Sequence, residues 1–323
     1  MRSLVIISLV ILLAFTAFSQ EPDSVQHFLI LGSKAFNSNM WKESKEAYEN
    51  ALRLQPGNVE ALRNLGLIAN TLGDLNTAMH YYEEVLKRDS LDPATHNNIG
   101  VVMSTRGKTA DAIREFEKAI RIDSTNDQCH VNLAGEYIKV QRFADAARHL
   151  RRALVTDTVN AEPPYLMGRA MFGLRKNDSA LTYLKVAMAR GGEMSELYYF
   201  MGLTEMNLGN FDDAGKSLAI VLAKDPKNVD AIQSMGIVQV KLGEYDKAVL
   251  LFKKVTELDS NYQMAWVSLG ATYMLTGKAA QADTVFKKLK AVDTALAFRM
   301  VDLYNIEKGK QADKSATPAK SKK

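Results

Sequence analysis

The chain has 323 residues, 47% of them hydrophobic, a formal net charge of +4 and one cysteine. One cysteine excludes an internal disulfide, and the charge is unevenly spread: Arg2 carries one, residues 308–323 set six lysines against Asp313, and residues 20–307 sum to −2. A near-neutral body excludes nucleic-acid recognition through a basic groove.

Residues 1–19 differ from everything after them. Arg2 precedes an almost wholly apolar stretch at 4–18, and Ala17, Phe18 and Ser19 stand before Gln20. This order of charge, apolar run and small residue predicts a secretory signal peptide cleaved after Ser19. An uncleaved anchor is the competing reading, but 15 helical residues reach about 22 Å against a hydrocarbon core of about 30 Å. Export to a bacterial periplasm or cell envelope, or secretion, follows; a disulfide-free chain suits the envelope better than a eukaryotic extracellular space. No cysteine near Ser19 supports lipid attachment.

After a short lead at 20–24, residues 25–296 carry a period of 34. Residues 229–262 display it best: Ile232, Met235, Val238 and Leu242, then Tyr245, Ala248, Leu251, Phe252 and Val255, two runs of helical spacing broken at Gly243. That pattern predicts a helical hairpin. The Gly236 position recurs as Gly32, Gly66, Gly100, Ala134, Gly168, Gly202 and Gly270, and the Ala248 position as Ser44, Ala78, Ala112, Ala146, Ala180, Ala214 and Ala282. Tiny residues there let two helix backbones approach. A large apolar residue stands four positions after the alanine, from Tyr48 and Tyr82 to Phe252 and Phe286. The period yields eight units without insertion.

These residues resemble the tetratricopeptide repeat family, whose signature at this period runs from Leu-Gly through an alanine and an aromatic to a second alanine and a proline. The resemblance covers 272 of the 323 residues. It implies an all-α fold, a right-handed superhelical solenoid of eight helical hairpins whose first helices line a concave groove. The late proline stands only at Pro56 and Pro226; five other units carry an acid followed by a hydroxyl, as at Asp89-Ser90 and Asp259-Ser260. Such side chains bond free backbone amides, so they stop one helix and start the next without proline. Triplets such as Asp89-Ser90-Leu91 and Asp283-Thr284-Val285 also resemble an O-glycosylation signal of exported bacterial proteins. In the fifth unit Pro163-Pro164 and Arg190-Gly191-Gly192 predict a looser junction near Gly191.

Residues 297–308 are predicted to form a capping helix, with Leu296, Met300 and Leu303 on one face, covering the end of the last hairpin. Residues 309–323 hold no large apolar side chain and are expected to be a disordered lysine-rich tail. That tail is the one route to a membrane or an anionic polymer.

No residue set points to catalysis, a cofactor or a metal. His27, His80, His96, His130 and His149 are scattered without zinc-ligand spacing, and the glycines fall at packing steps rather than in a phosphate loop. The groove is what remains. Asn64, Asn98 and Asn132 stand two positions before the glycine site in successive units, with Arg63 and Asn97 beside them. An amide offers both donor and acceptor, so such a ladder suits an extended peptide, and it resembles the peptide-gripping asparagines of parts of the family; local bonding between helices is the alternative. Later units place Tyr165, Leu166, Arg169 and Phe172, then Tyr199, Phe200 and Leu203, then Ile237, Val240, Val267 and Met274 at groove positions, half of them expected to be exposed. The reading is an exported, non-catalytic scaffold that binds an extended or helical segment of partner proteins. A permanent structural subunit of an envelope assembly, or a carrier for a separately encoded enzyme, is the other reading.

Overall fold

A computed structural model describes residues 24–316, with side chains to residue 309; the predicted signal peptide and residues 317–323 lie outside the described residues. Every element among the described residues is a helix. In chain order these are α1 (Val25–Asn37), α2 (Trp41–Leu54), α3 (Val59–Thr71), α4 (Leu75–Leu86), α5 (Pro93–Thr105), α6 (Thr109–Ile122), α7 (Asp127–Lys139), α8 (Phe143–Thr156), α9 (Glu162–Gly173), α10 (Asn177–Ala189), α11 (Ser195–Leu208), α12 (Phe211–Lys224), α13 (Val229–Leu242), α14 (Tyr245–Leu258), α15 (Gln263–Leu275), α16 (Ala279–Val292) and α17 (Thr294–Ala316). Each odd-numbered helix up to α15 pairs with the helix after it. The chain divides between Thr156 and Asp157 into two compact units.

In the first unit, α1 to α8 form four hairpins. The second helix of each turns a stripe of i, i+4, i+7 residues inward, such as Ala112, Phe116 and Ala119 on α6, the spacing of one helical face. The glycines lie where the two helices cross. A Cβ added to Gly32 would stand 2.8 Å from the Tyr48 ring, and one on Gly100 would stand 2.6 Å from Phe116 Cε1; Gly66 meets Tyr82 in the same way. Each ring is sixteen residues on, so the bulky side chain fills the space the glycine leaves. Ser44, which stands at the alanine position, is tolerated because its hydroxyl donates to the Gly32 carbonyl at 2.8 Å.

In the second unit, α9 to α16 form four hairpins and α17 follows. Gly168 meets Leu184, Gly202 meets Leu218 and Gly236 meets Phe252, again sixteen residues apart. Gly270 departs from the rule. Its neighbours are Met300 of α17 and Val285, rather than Phe286.

Turns repeat as strictly as helices. Within each hairpin one residue takes positive φ: Gly73, Gly107, Gly209, Gly243 and Gly277, but also Asn39, Gln141 and Arg175. Between hairpins, the carboxylates of Asp89, Asp123, Asp157, Asp225, Asp259 and Asp293 accept the backbone N–H two residues on, at 2.8–3.0 Å. The acid therefore makes the turn. Starting the next helix falls to a different residue: Asn58, Asn126 and Asn228 accept the N–H three residues on.

The division at Thr156 precedes the junction expected near Gly191. Arg190 Nη1 donates to the Asp157 and Asn160 carbonyls, tying that loop to α10. At the expected loose point Gly191 takes φ +82° and Gly192 is buried against Ala187 and Leu197. Helix α17 also runs past Lys308, where the capping helix was expected to stop, into the segment expected to be disordered. Between Gly309 and Ala316 the sequence KQADKSA holds no proline and several strong helix formers.

Candidate functional site

In the first unit, the inner residues of α3, α5 and α7 make a polar face. Asn132 Nδ2 donates to Asn97 Oδ1 at 3.0 Å, joining α7 to α5, and Asn132 Oδ1 accepts from Gln128 at 3.1 Å. Asn97 Nδ2 reaches Asn98 Oδ1 at 3.4 Å, while Asn64 Nδ2 donates to the Glu60 carbonyl of its own helix. The predicted asparagines are thus partly exposed and partly bonded locally, and an amide has four bonding positions of which these contacts use some. Arg63 is a brace: its Nε lies 2.9 Å from the buried Asp92 carboxylate, which also accepts from Thr95 Oγ1 at 2.6 Å. Farther along, Ser104 Oγ and Lys139 Nζ both reach Glu136 Oε1, at 2.5 Å each, and Glu136 Oε2 is buried without a partner.

The second unit carries a face of another character on α9 and α11. The Arg169 guanidinium lies 4.9 Å from the Phe200 ring centroid and 5.6 Å from that of Tyr165, cation–π distances. Phe172 meets Phe200 edge to face at 5.7 Å, and Tyr199 stands beside Phe200 at 5.9 Å. Arg169 Nε is buried with no hydrogen-bond partner, and no ion pair among the described residues involves this side chain. Tyr165 is only 7% exposed, so it is the floor of this face rather than a groove residue; burial holds its phenol above the ordinary range. Leu166 and Val267 are likewise buried between helices. Ile237, Val240 and Met274 are half-buried in the cluster that also holds Met300, Leu303 and Tyr304 of α17, so the chain itself covers the apolar residues read as a later part of the groove.

The histidines have structural places that spacing did not disclose. His96 Nε2 lies 3.1 Å from the Ser90 carbonyl and His130 Nε2 lies 3.2 Å from the Ser124 carbonyl, while Trp266 Nε1 donates to the Ser260 carbonyl at 3.0 Å. All three are the fourth residue of a unit, and each bonds the carbonyl six residues back. His96 Nδ1 then pairs with Glu115 at 2.7 Å, whereas His130 Nδ1 meets His149 Nδ1 at 2.8 Å. Burial, then the His130 and Arg148 charges, lower the His149 pKa to about 4. Cys129 is a buried helix residue whose thiol burial pushes up to about 12. Among the described residues no group of three or more His, Cys, Asp or Glu is placed to hold a metal ion, and no helix is long and apolar enough to cross a membrane.

A family model described as tetratricopeptide repeat matches residues 31–93 and 71–127, and a second of that description matches residues 229–262. This chain belongs to the tetratricopeptide repeat family. Among solved structures, this tetratricopeptide repeat protein is similar to MamA, with 30% identity over 50% of this chain and 95% of that one and a TM-score of 0.45. It is similar to pilF of Pseudomonas aeruginosa, with 16% identity over 64% of this chain and 94% of that one and a TM-score of 0.58. It is also similar to the APC/C hetero-tetramer Cut9-Hcn1, with 16% identity over 90% of this chain and 57% of that one and a TM-score of 0.60. The last two share its helical fold. No curated protein matches the chain.

Proposed function

We propose that the protein is a non-catalytic scaffold, exported through the segment at 1–19, whose odd-numbered helices present docking faces for segments of envelope or secreted proteins. Repeat stacks of this kind expose extended surfaces and bind through them. The observation that carries the reading is Arg169. A cation set on Phe200 and Tyr165, with a buried Nε lacking a partner, calls for an anionic group beside apolar surface. A peptide segment with a carboxylate flanked by an aliphatic or aromatic residue fits: the acid meets the guanidinium and the apolar side chain meets Phe172 and Phe200. In the first unit, Asn64, Asn98 and Asn132 are proposed to bond the backbone of an extended segment, with Asn97 as the link between helices. Arg63 serves that face by holding Asp92 rather than by touching a ligand.

The test is an array of short peptides in which acidic and amidated versions alternate, probed with the full mature chain and with Arg169→Gln. Hydrogen bonds to charged groups contribute about 1.5–3 kcal/mol, so peptides with the acid are expected to lose roughly tenfold or more on Arg169→Gln. Equal binding of acid and amide versions by a folded wild-type chain would remove Arg169 from the function.

A further inference from the structure

Helix α17 is placed as a ligand would be. Met300, Leu303, Tyr304 and Glu307 fall at i, i+3, i+4 and i+7, the spacing with which an amphipathic helix seats in a groove. Met300 enters the space left by Gly270. Leu303 and Tyr304 join the cluster that contains Ile237 and Val240 of α13. Glu307, only 9% exposed, pairs with Lys241 at the end of α13. The helix therefore packs on α15 and α16, and its side chains reach across to α13 at Ile237, Val240 and Lys241, over residues that would otherwise be an apolar docking face.

Its fit is incomplete. A half-open pocket of about 140 Å³ remains beside Ile237, Val240, Met264, Leu275 and Leu303, so the apolar side chains that line it face water rather than another side chain. A different helix with a larger residue at the Leu303 position would fill it. Lys241 fixes the charge of the occupant, because a cation at this partly enclosed place must be met by a carboxylate.

We propose that α17 is a resident stand-in for an amphipathic helix of a partner protein, one bearing apolar side chains at i, i+3 and i+4 and a carboxylate at i+7, which displaces α17 from the α13 and α15 face. This rests on the reading of the odd-numbered helices as docking faces. The tethered helix competes at an effective concentration on the order of millimolar. Displacement thus requires the better-filling partner, and the covered state keeps the apolar face from indiscriminate contacts.

The probe is a fluorescent peptide with the sequence of residues 294–309, added to the full mature chain and to its Leu303→Asp/Glu307→Lys variant, which dislodges α17. Binding to the variant is expected to be at least about tenfold tighter than to the wild type. Adding Lys241→Glu to the variant is expected to abolish that binding, and a peptide carrying Glu307→Lys to restore it. A 294–309 peptide carrying Leu303→Phe, which fills the pocket, is expected to bind the wild-type chain at least about tenfold more tightly than the unchanged peptide, whereas a merely structural cap would stay in place and show no difference. Should the variant lose its helical signal, a chain carrying Glu307→Lys alone serves: it loses the pair with Lys241 and should accept the peptide more readily than the wild type. Equal peptide binding by the wild type and the variants overturns the proposal, as does a wild-type dimer that exchanges α17 between two copies. Failure of the Arg169 test leaves these outcomes unchanged, since Arg169 lies on α9.

Discussion

Gly100 and Phe116 share one volume: a Cβ on Gly100 would lie 2.6 Å from Phe116 Cε1, and Phe116 is itself fully buried. Gly100→Ala must push the ring into a packed core, and overpacking of this kind costs about 1–3 kcal/mol. Gly135 offers the contrast, because nothing lies within 4 Å of a Cβ built there. Within α7, Gly135→Ala is expected to add about 0.5–1 kcal/mol by removing backbone freedom from the unfolded chain. Chemical denaturation should move the two midpoints in opposite directions.

Arg175 and Gln141 hold φ +58° and +60° at the turn position that glycine occupies in Gly243 and Gly209. A side chain in the left-handed region costs about 1–2 kcal/mol, while glycine loses part of that gain through unfolded-state entropy. Arg175→Gly is therefore expected to raise stability by about 0.5–1 kcal/mol, and Gly243→Ala to lower it. Melting curves of both variants decide the point.

Tyr82 has a buried hydroxyl without a hydrogen-bond partner, whereas Phe116 and Phe252 fill the same place in their units with no hydroxyl at all. An unsatisfied buried polar group costs about 1–3 kcal/mol. Tyr82→Phe is expected to stabilise the first unit by about 1 kcal/mol. Tyr48→Phe should gain less, since the Tyr48 hydroxyl bonds Ser33.

His149 faces His130 at 2.8 Å, with Arg148, Asp145 and Glu117 as the other charges acting on it. Because its folded pKa is lowered to about 4 from 6.5, the unfolded chain binds the proton more readily between those values. Stability is then full above pH 6.5 and is lost as pH falls toward 4. The melting temperature should decline over that window, and His149→Gln should flatten the decline; identical pH profiles for both proteins would assign the slope elsewhere.

The repeat was legible because its marks are local and recur: Gly66 and Tyr82, Gly100 and Phe116 obey one spacing, and one legible unit located the rest. What stayed hidden depends on pairs that occur once. Nothing in Gln141 or Arg175 announces a positive φ, which comes with the hairpin's own turn, where the next residue's N–H donates to the carbonyl five residues back, Arg142 to Tyr137 and Lys176 to Met171. His130 and His149 meet because one unit places a histidine at two facing positions, nineteen residues apart. Asn64, Asn98 and Asn132 read as a ladder, but whether such amides bond a guest or a neighbour, as Asn132 bonds Asn97, depends on rotamers that composition does not encode. Lys241 and Glu307 are 66 residues apart, and Glu307 lies outside the repeat, so the covering of Ile237 and Val240 was not foreseeable from period alone.

The most direct measurement places a photo-crosslinking amino acid at Phe200, beside Arg169, and in a second strain at Leu250 of α14, which is 68% exposed, and maps the crosslinked peptides recovered from intact cells. The expected result is a defined adduct from Phe200 on a partner segment that contains an acidic residue, lost when Arg169 is changed to Gln, and no defined adduct from Leu250. Defined adducts from Leu250 alone, or a Phe200 adduct indifferent to Arg169, would contradict docking on the α9 and α11 face.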